Sequence, residues 1–403
     1  MGKKPFLLSL DNQERFSLSS LSEYSSQGAP LECRIPDIEK KRITKGDSVW
    51  MRFSSFFPLE NFDMRLSLGE GDTPCLEATS ELRSYMGLNH LYLKNETVNP
   101  TWSFKDRGSF LCIQMSRLFG EKASATISTG NMGHSMAAYG KRARLQTLIF
   151  LPVGTPGEKI LPMRIHGANV VVLSGNDFSN IKKHVRAVSE NIGLRTISGN
   201  GPLRVEGYKS LAFELYEQTN GQLPDYVVLP VSATGLARGV FKGFRELLMT
   251  GLINTLPRLV IVQPENNAPL ARPLKQGLNK VIPVSHVKTI ATALTTGDPP
   301  GGDAFLRMAL KNGWLAETAS EQEILEGISL LADQGLYAEA SSATVIPALK
   351  KLVRNRQIPT EARVAVIITG SGLKNTLSWP TQPISSLPVE ELEPYLEKFL
   401  PGL

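Results

Sequence analysis

Cysteine is scarce in this chain of 403 residues: Cys33, Cys75 and Cys112 are the whole set, none in a Cys-x-x-Cys spacing, and three thiols cannot all pair with one another. That excludes a disulfide-stapled fold and predicts a reducing, cytoplasmic setting. Long apolar runs are missing too. None approaches the ~18 residues of a membrane-spanning helix, and the apolar stretch after Lys4 is too short for a secretory signal. Phe6 stands where a myristoylation signal needs Ser or Thr, so neither a membrane partner nor a lipid anchor is expected. The net charge is +6, yet there is no run of five or six like charges and no interleaving of aromatic and basic residues. That argues against a nucleic-acid partner. A mildly basic surface suits an anionic small substrate without establishing one.

What is present is ordinary globular material, with 41% hydrophobic and 20% charged residues. A chain of this length can bury a substantial core in about two or three domains. Residues 1 to 58 are polar and weakly periodic, with a Ser-rich run from Ser17 to Ser26, and read as an extension or small subdomain. From Leu66 onward short apolar runs alternate with longer amphipathic ones, the pattern of βα units and an α/β fold. Strands are predicted at Leu91–Lys94, Ala125–Ser128, Thr147–Leu151, Asn169–Leu173, Tyr226–Val231, Leu259–Val262 and Val364–Thr369. Most are apolar throughout, which places helices on both faces of a mostly parallel sheet. Helices are predicted at Asp106–Phe119, Gly133–Arg144, Asn176–Asn191, Lys209–Glu217, Leu236–Met249, Glu321–Gln334 and Ser341–Leu352. The Gly- and Pro-rich stretches Leu151–Gly157 and Thr296–Gly302 are predicted as loops.

Four strand ends carry chemistry. In the first, Lys94-Asn-Glu-Thr-Val-Asn-Pro-Thr-Trp-Ser-Phe-Lys-Asp-Arg-Gly108 passes through a Pro-bearing loop into a helix, which sets Lys105 near a helix N-terminus. The positive end of the helix dipole disfavours an ammonium there, and a lysine nucleophile needs its free amine. In the second, Ile127-Ser-Thr-Gly-Asn-Met-Gly-His134, backbone N–H groups with the Ser128 and Thr129 hydroxyls make a site for a carboxylate. The Asn131 amide can donate to a phenolate oxygen, while an ordinary helix cap fits the same residues. In the third, the turn Ser232, Ala233, Thr234, Gly235, Leu236 can hold a small phosphate, and it lacks both a dinucleotide and a nucleoside-triphosphate fingerprint. In the fourth, hydroxyls at Thr369 and Ser371 sit beside flexible glycines. Four such loops point to the crevice at the carboxyl ends of a parallel sheet.

At these segments the chain resembles the threonine synthase group of the fold type II, tryptophan-synthase-β-like, family of pyridoxal phosphate enzymes. The resemblance runs through Ser67-Leu-Gly-Glu-Gly-Asp-Thr-Pro74, Asn99-Pro-Thr-Trp-Ser-Phe-Lys-Asp-Arg-Gly108, Ser128-Thr-Gly-Asn131, Glu206-Gly-Tyr-Lys209, Glu339-Ala-Ser-Ser342 and Thr369-Gly-Ser-Gly-Leu-Lys374. It spans roughly residues 60 to 375. It implies two mostly parallel, doubly wound α/β domains with the cofactor cleft between them. Residues 59–121 and 206–403 would form the large domain, and residues 122–205 a small inserted one. It further implies that Lys105 is catalytic and carries pyridoxal 5'-phosphate as a Schiff base, with Asn131 at the phenolic oxygen. Ser232 to Leu236 would hold the cofactor phosphate and Thr369 would face the pyridine nitrogen, where a neutral hydroxyl suits elimination and replacement chemistry. Ser128, Thr129 and Asn131 would bind the substrate carboxylate, and Arg204 the substrate phosphate. The implied reaction turns O-phosphohomoserine and water into threonine and phosphate.

Several residues depart from the pattern. Trp102 replaces the usual Gly, Met132 the usual Thr and Ser371 the usual His. The phosphate turn lacks two amide side chains, and Thr295 stands where Arg is common. Only Cys33 is left of a Cys-rich N-terminal segment, so no metal is expected. His134 is either a pocket residue or a helix-cap residue. The alternatives are a sister β-replacement or elimination enzyme, namely an O-phosphoserine-dependent synthase or a serine/threonine dehydratase, and an inactive small-molecule-binding homologue. The expected partner is a small phosphorylated amino acid, and a homodimer is allowed.

Overall fold

The computed structural model describes residues 4–59, 61–175, 178–285, 287–374 and 386–399. Its strands in chain order are β1 (Phe6–Ser9), β2 (Arg15–Ser17), β3 (Leu31–Arg34), β4 (Cys75–Glu77), β5 (His90–Asn95) and β6 (Ala123–Ile127). Then come β7 (Gln146–Pro152), β8 (Asn169–Leu173), β9 (Tyr226–Pro230), β10 (Arg258–Pro264), β11 (Leu315–Ala319) and β12 (Arg363–Ile368). The main sheet has the order β11-β10-β9-β12-β5-β4 and is parallel except for β4. A second sheet, β6-β7-β8, is wholly parallel. A third, β2-β1-β3, is antiparallel.

The central strands are apolar throughout because both faces are covered. Along β9 every residue is buried, and the pleat sends Val227 and Leu229 into one core, Tyr226 and Val228 into the other. The first core is filled from the Lys105–Leu118, Ser210–Gln218 and Gly235–Met249 helices, the second from the Glu321–Ala332 and Val345–Arg354 helices. All seven strands expected from the sequence form, within a few residues of their expected ends.

Three features differ from expectation. The segment before residue 59 is part of the body: Leu7, Leu31, Cys33, Trp50, Phe53 and Phe56 are buried in the same core as Phe110 and Phe213. The Trp50 ring lies 4.9 Å from Phe110, and Phe53 stacks on Phe213 at 4.5 Å. Its strands are three or four residues long, too short to show a period. The stretch expected as a loop from Leu151 overlaps the end of β7 and the start of a Gly157–Ile165 helix that carries Pro162 in its interior. The Ser341–Leu352 expectation splits into Ala340–Ala343 and Val345–Arg354. The start of the helix expected from Asn176, and residues 375–385 and 400–403 of the expected large domain, lie outside the described residues.

Candidate active site

Strands β5, β12 and β9 are neighbours, and Asn95 at the end of β5 pairs with Ile368 at the end of β12. The loops that follow these strands meet the end of β6 around a cavity of about 600 Å³. That volume is in the range of small-molecule sites.

Lys105 is the first residue of its helix and lines this cavity. Its amine lies 4.3 Å from the centre of the Phe104 ring and 5.7 Å from that of Tyr208. Burial first, then the charge of Arg204, pulls its pKa from the ordinary 10.5 to about 7, with Glu339 opposing. A free amine is thereby present at neutral pH, which is what attack on a carbonyl requires.

The residues after Lys105 explain why it is held there. Asp106 accepts hydrogen bonds from the Thr101 N–H and from the Ser135 hydroxyl, each at 2.6 Å, and so closes the loop before the helix. Arg107 is fully buried and forks onto Glu96, with Nε to Oε2 at 2.6 Å and the NH2 nitrogen to Oε1 at 2.8 Å. It also reaches Glu214, which receives the Lys94 ammonium at 2.6 Å. Two buried cations thus meet two buried carboxylates in direct contact. Burial would raise the Glu214 carboxyl, but Arg107 and Lys94 hold it at about 2.

The turn after β9 makes an anion cradle. Thr234 has φ +67°, a left-handed conformation rare for a β-branched residue, and it leads into the N-terminus of the fifteen-residue Gly235–Met249 helix. A Cβ at Gly235 would stand 2.2 Å from the Gly199 carbonyl oxygen, so only glycine fits. Ser232, Ala233, Thr234, Gly235 and Leu236 all line the cavity. Helix-start N–H groups and the Thr234 hydroxyl suit a phosphate. Across the cavity the Thr369 hydroxyl pairs with that of Ser342 at 2.8 Å.

Ser128, Thr129 and Asn131 also line the cavity. The Ser128 hydroxyl accepts from the Gly133 N–H at 3.1 Å, so it caps the Asn131–Arg142 helix while facing the cavity. The Asn131 amide donates to both carboxylate oxygens of Glu339 at 3.1 Å. Burial pushes the Glu339 carboxyl up. Glu339 is a site residue that sequence reasoning did not single out, although it opens the Glu339-Ala-Ser-Ser342 motif. At Gly370 a Cβ would fall 2.7 Å from a Glu339 carboxylate oxygen, which explains the glycine after Thr369.

Arg204 is 0% exposed and donates to the Lys105 carbonyl at 3.3 Å and the Tyr208 hydroxyl at 3.4 Å, while its Nε and Nη2 have no hydrogen-bond partner among the described residues. Close packing of the Pro202–Tyr208 helix on Gly108 sends it there, since a Cβ at Gly108 would stand 2.5 Å from Arg204 Cγ.

Three cavity features follow from packing that distant segments supply. Trp102 is left-handed, with φ +62°, and lies 45% exposed in the cavity wall. Lys374 and His134 face each other in the same wall. Asn200 receives the Tyr24 hydroxyl at 2.8 Å, and the Ser198 N–H donates to Glu23 at 3.1 Å, so the N-terminal segment braces the cavity.

The pattern that defines the family "Pyridoxal-phosphate dependent enzyme" matches residues 66–370. The chain is similar to "Threonine synthase" of Methanocaldococcus jannaschii, 34% identical over 339 residues that cover 84% of this chain and 83% of that protein. It is similar also to "Threonine synthase" of Mycobacterium tuberculosis, 33% identical over 314 residues, 77% of this chain and 84% of that one. Among solved structures, threonine deaminase isoform 2 from Solanum lycopersicum aligns with a TM-score of 0.63 at 23% identity, covering 82% of this chain and 88% of its own. Diaminopropionate ammonia lyase from Escherichia coli aligns with a TM-score of 0.64 at 18% identity, covering 76% and 86%.

Proposed function

Because this chain belongs to the pyridoxal-phosphate-dependent enzyme family and is a lyase of the threonine synthase type, we propose that it converts O-phosphohomoserine and water to threonine and phosphate. The observation that carries the reading is the Lys105 amine, held near neutrality in a cavity wall beside a helix-start anion cradle. The residues fit pyridoxal phosphate. Lys105 would take the covalent link, Ser232 to Leu236 the phosphate, Thr369 the ring nitrogen and Asn131 the phenolic oxygen. When bound, the cofactor supplies a sink for electrons released at the substrate α-carbon.

The chain's own groups do the rest. Ser128, Thr129 and the Asn131 N–H region hold the substrate carboxylate and fix the α-proton toward Lys105. The Lys105 amine moves protons at the α- and β-carbons, as a pKa of about 7 allows at neutral pH. Besides Lys105, four basic side chains, Lys159, Lys182, Arg186 and Lys374, line the cavity against the acids Glu158 and Glu339. That excess suits a substrate with two anionic groups. We take residues 122–205, which hold β6 to β8, as the inserted smaller domain. Among the described residues no helix is long and apolar enough to cross a membrane. The three cysteines are free thiols, which supports a cytoplasmic enzyme with a small-molecule partner.

The test is a substrate panel of O-phosphohomoserine, O-phosphoserine, serine and threonine, with phosphate, keto acid and amino-acid products measured. Equal amounts of threonine and phosphate from O-phosphohomoserine are expected. Keto acid from serine or threonine alone would make the protein a dehydratase, and phosphate from O-phosphoserine alone a β-replacement enzyme.

A further inference from the structure

Lys374 ends the short turn Gly372–Lys374 that follows Thr369, and its side chain lines the cavity. Its amine donates to the Thr101 carbonyl and lies 3.5 Å from Nδ1 of His134. Among the described residues it makes no salt bridge. The acids whose charge reaches it, Asp106 and Glu339, are engaged elsewhere, Asp106 by Thr101 and Ser135, Glu339 by Asn131. Burial, with Lys374 and His166 adding repulsion, lowers His134 to about 3. His134 is therefore an uncharged acceptor for Lys374 at neutral pH. Its ring lies 5.5 Å from that of His166 and 6.5 Å from that of Trp102, which wall it in. An ammonium has three donors, and here one meets a main-chain oxygen and one a neutral ring. The third donor, and the uncompensated charge, are left for a ligand.

The placement indicates which ligand group this is. His134 follows Asn131 by three residues on one helix, roughly 4.5 Å along its axis. An amino acid held by its carboxylate at Ser128 to Asn131 can therefore extend its side chain toward Lys374. Two of the other wall cations are engaged differently: Lys159 donates to Thr292 at 3.4 Å, and Arg186 lies 4.5 Å over the Tyr24 ring. We propose that Lys374, backed by His134, is a subsite for the phosphoryl ester of the substrate. The inference rests on the substrate being a phosphorylated amino acid.

The test uses the cofactor-loaded protein with three ligands. O-phosphohomoserine and homoserine are titrated by cofactor absorbance, and inorganic phosphate by calorimetry. Lys374→Met is expected to weaken O-phosphohomoserine and inorganic phosphate by about tenfold or more, the scale of a charge-assisted contact. Homoserine, which lacks the anion, should bind as before, and Lys374→Arg should restore most of the loss. An equal loss for homoserine, or unchanged affinity for inorganic phosphate, overturns the proposal. Phosphate binding is read without turnover. A wild-type protein that binds phosphate through Lys374 yet releases none from O-phosphohomoserine would sustain the subsite and overturn the proposed reaction.

Discussion

The Arg204 guanidinium donates to the main-chain carbonyl of Lys105 at 3.3 Å, so a fully buried cation stands directly behind the residue whose amine faces the cavity. Its charge acts on Lys105 through protein rather than water, and it is the second largest cause, after burial, of the lowered amine pKa. Arg204 is placed to lower the pKa of the Lys105 amine.

Replacing Arg204 by Gln should therefore move the pH dependence of cofactor capture. Only the neutral amine reacts, so capture by the cofactor-free wild type should rise with pH through about 7 and then level off. The folded pKa is lowered, so protonation works against the folded cofactor-free form. Its stability should rise as pH climbs from about 7 toward the ordinary 10.5. In Arg204→Gln the capture midpoint should shift upward, as read by stopped-flow absorbance. An unmoved midpoint together with a large rise in KM for the phosphorylated substrate would instead return Arg204 to substrate binding.

Much of this architecture was legible because burial leaves a plain trace. β9 and β12 are covered on both faces and so are apolar along most of their length, and the loops that follow them announce themselves by hydroxyls and glycines. β11 escaped notice because Glu317 and Thr318 interrupt it, although Glu317 is held inside by Lys275 at 2.5 Å. Lys105 and the Ser232 to Leu236 turn depend on local strand-to-helix geometry, which sequence spacing reports. The Asn131–Glu339 contact joins residues 208 positions apart, and the pairing of Lys374 with His134 joins residues 240 apart. No spacing encodes those meetings. Arg204 was singled out by the family resemblance alone, and which way its side chain turns depends on how closely two helices pack at Gly108.

The buried ion network beneath the site should prove fragile to the loss of one member. Arg107→Met removes the fork that satisfies Glu96 and Glu214 and leaves two buried carboxylates facing Lys94 alone. Breaking a buried network in this way costs about 3 to 5 kcal/mol. A urea titration should show a midpoint lowered accordingly, with weaker cofactor retention because Lys105 lies two residues away. Glu214 titrates at about 2 in the folded protein against an ordinary 4.5, so its contribution is present above about pH 4.5 and lost as pH falls toward 2. The gap between wild type and variant should narrow over that window. A gap independent of pH would assign the loss to packing instead of charge.

Thr234 offers a prediction in which stability and function take opposite signs. Its φ of +67° places a β-branched residue in the left-handed region while it is only 2% exposed. Such a conformation costs of order 1 to 3 kcal/mol and persists where the surroundings impose it. Glycine adopts it without strain, at some cost in unfolded-chain entropy. In the cofactor-free protein Thr234→Gly should therefore be stabilising by about 1 kcal/mol in a urea titration. The same change deletes the hydroxyl beside the helix-start N–H groups, so cofactor affinity by equilibrium dialysis should fall about tenfold, the scale of one hydrogen bond to a charged group. Thr234→Ala keeps the strained backbone and loses the hydroxyl. It should show the same affinity loss without the gain in stability. A Thr234→Gly protein that is less stable would mean that the turn stores no strain, and one with unaltered cofactor affinity would remove the Thr234 hydroxyl from the phosphate site.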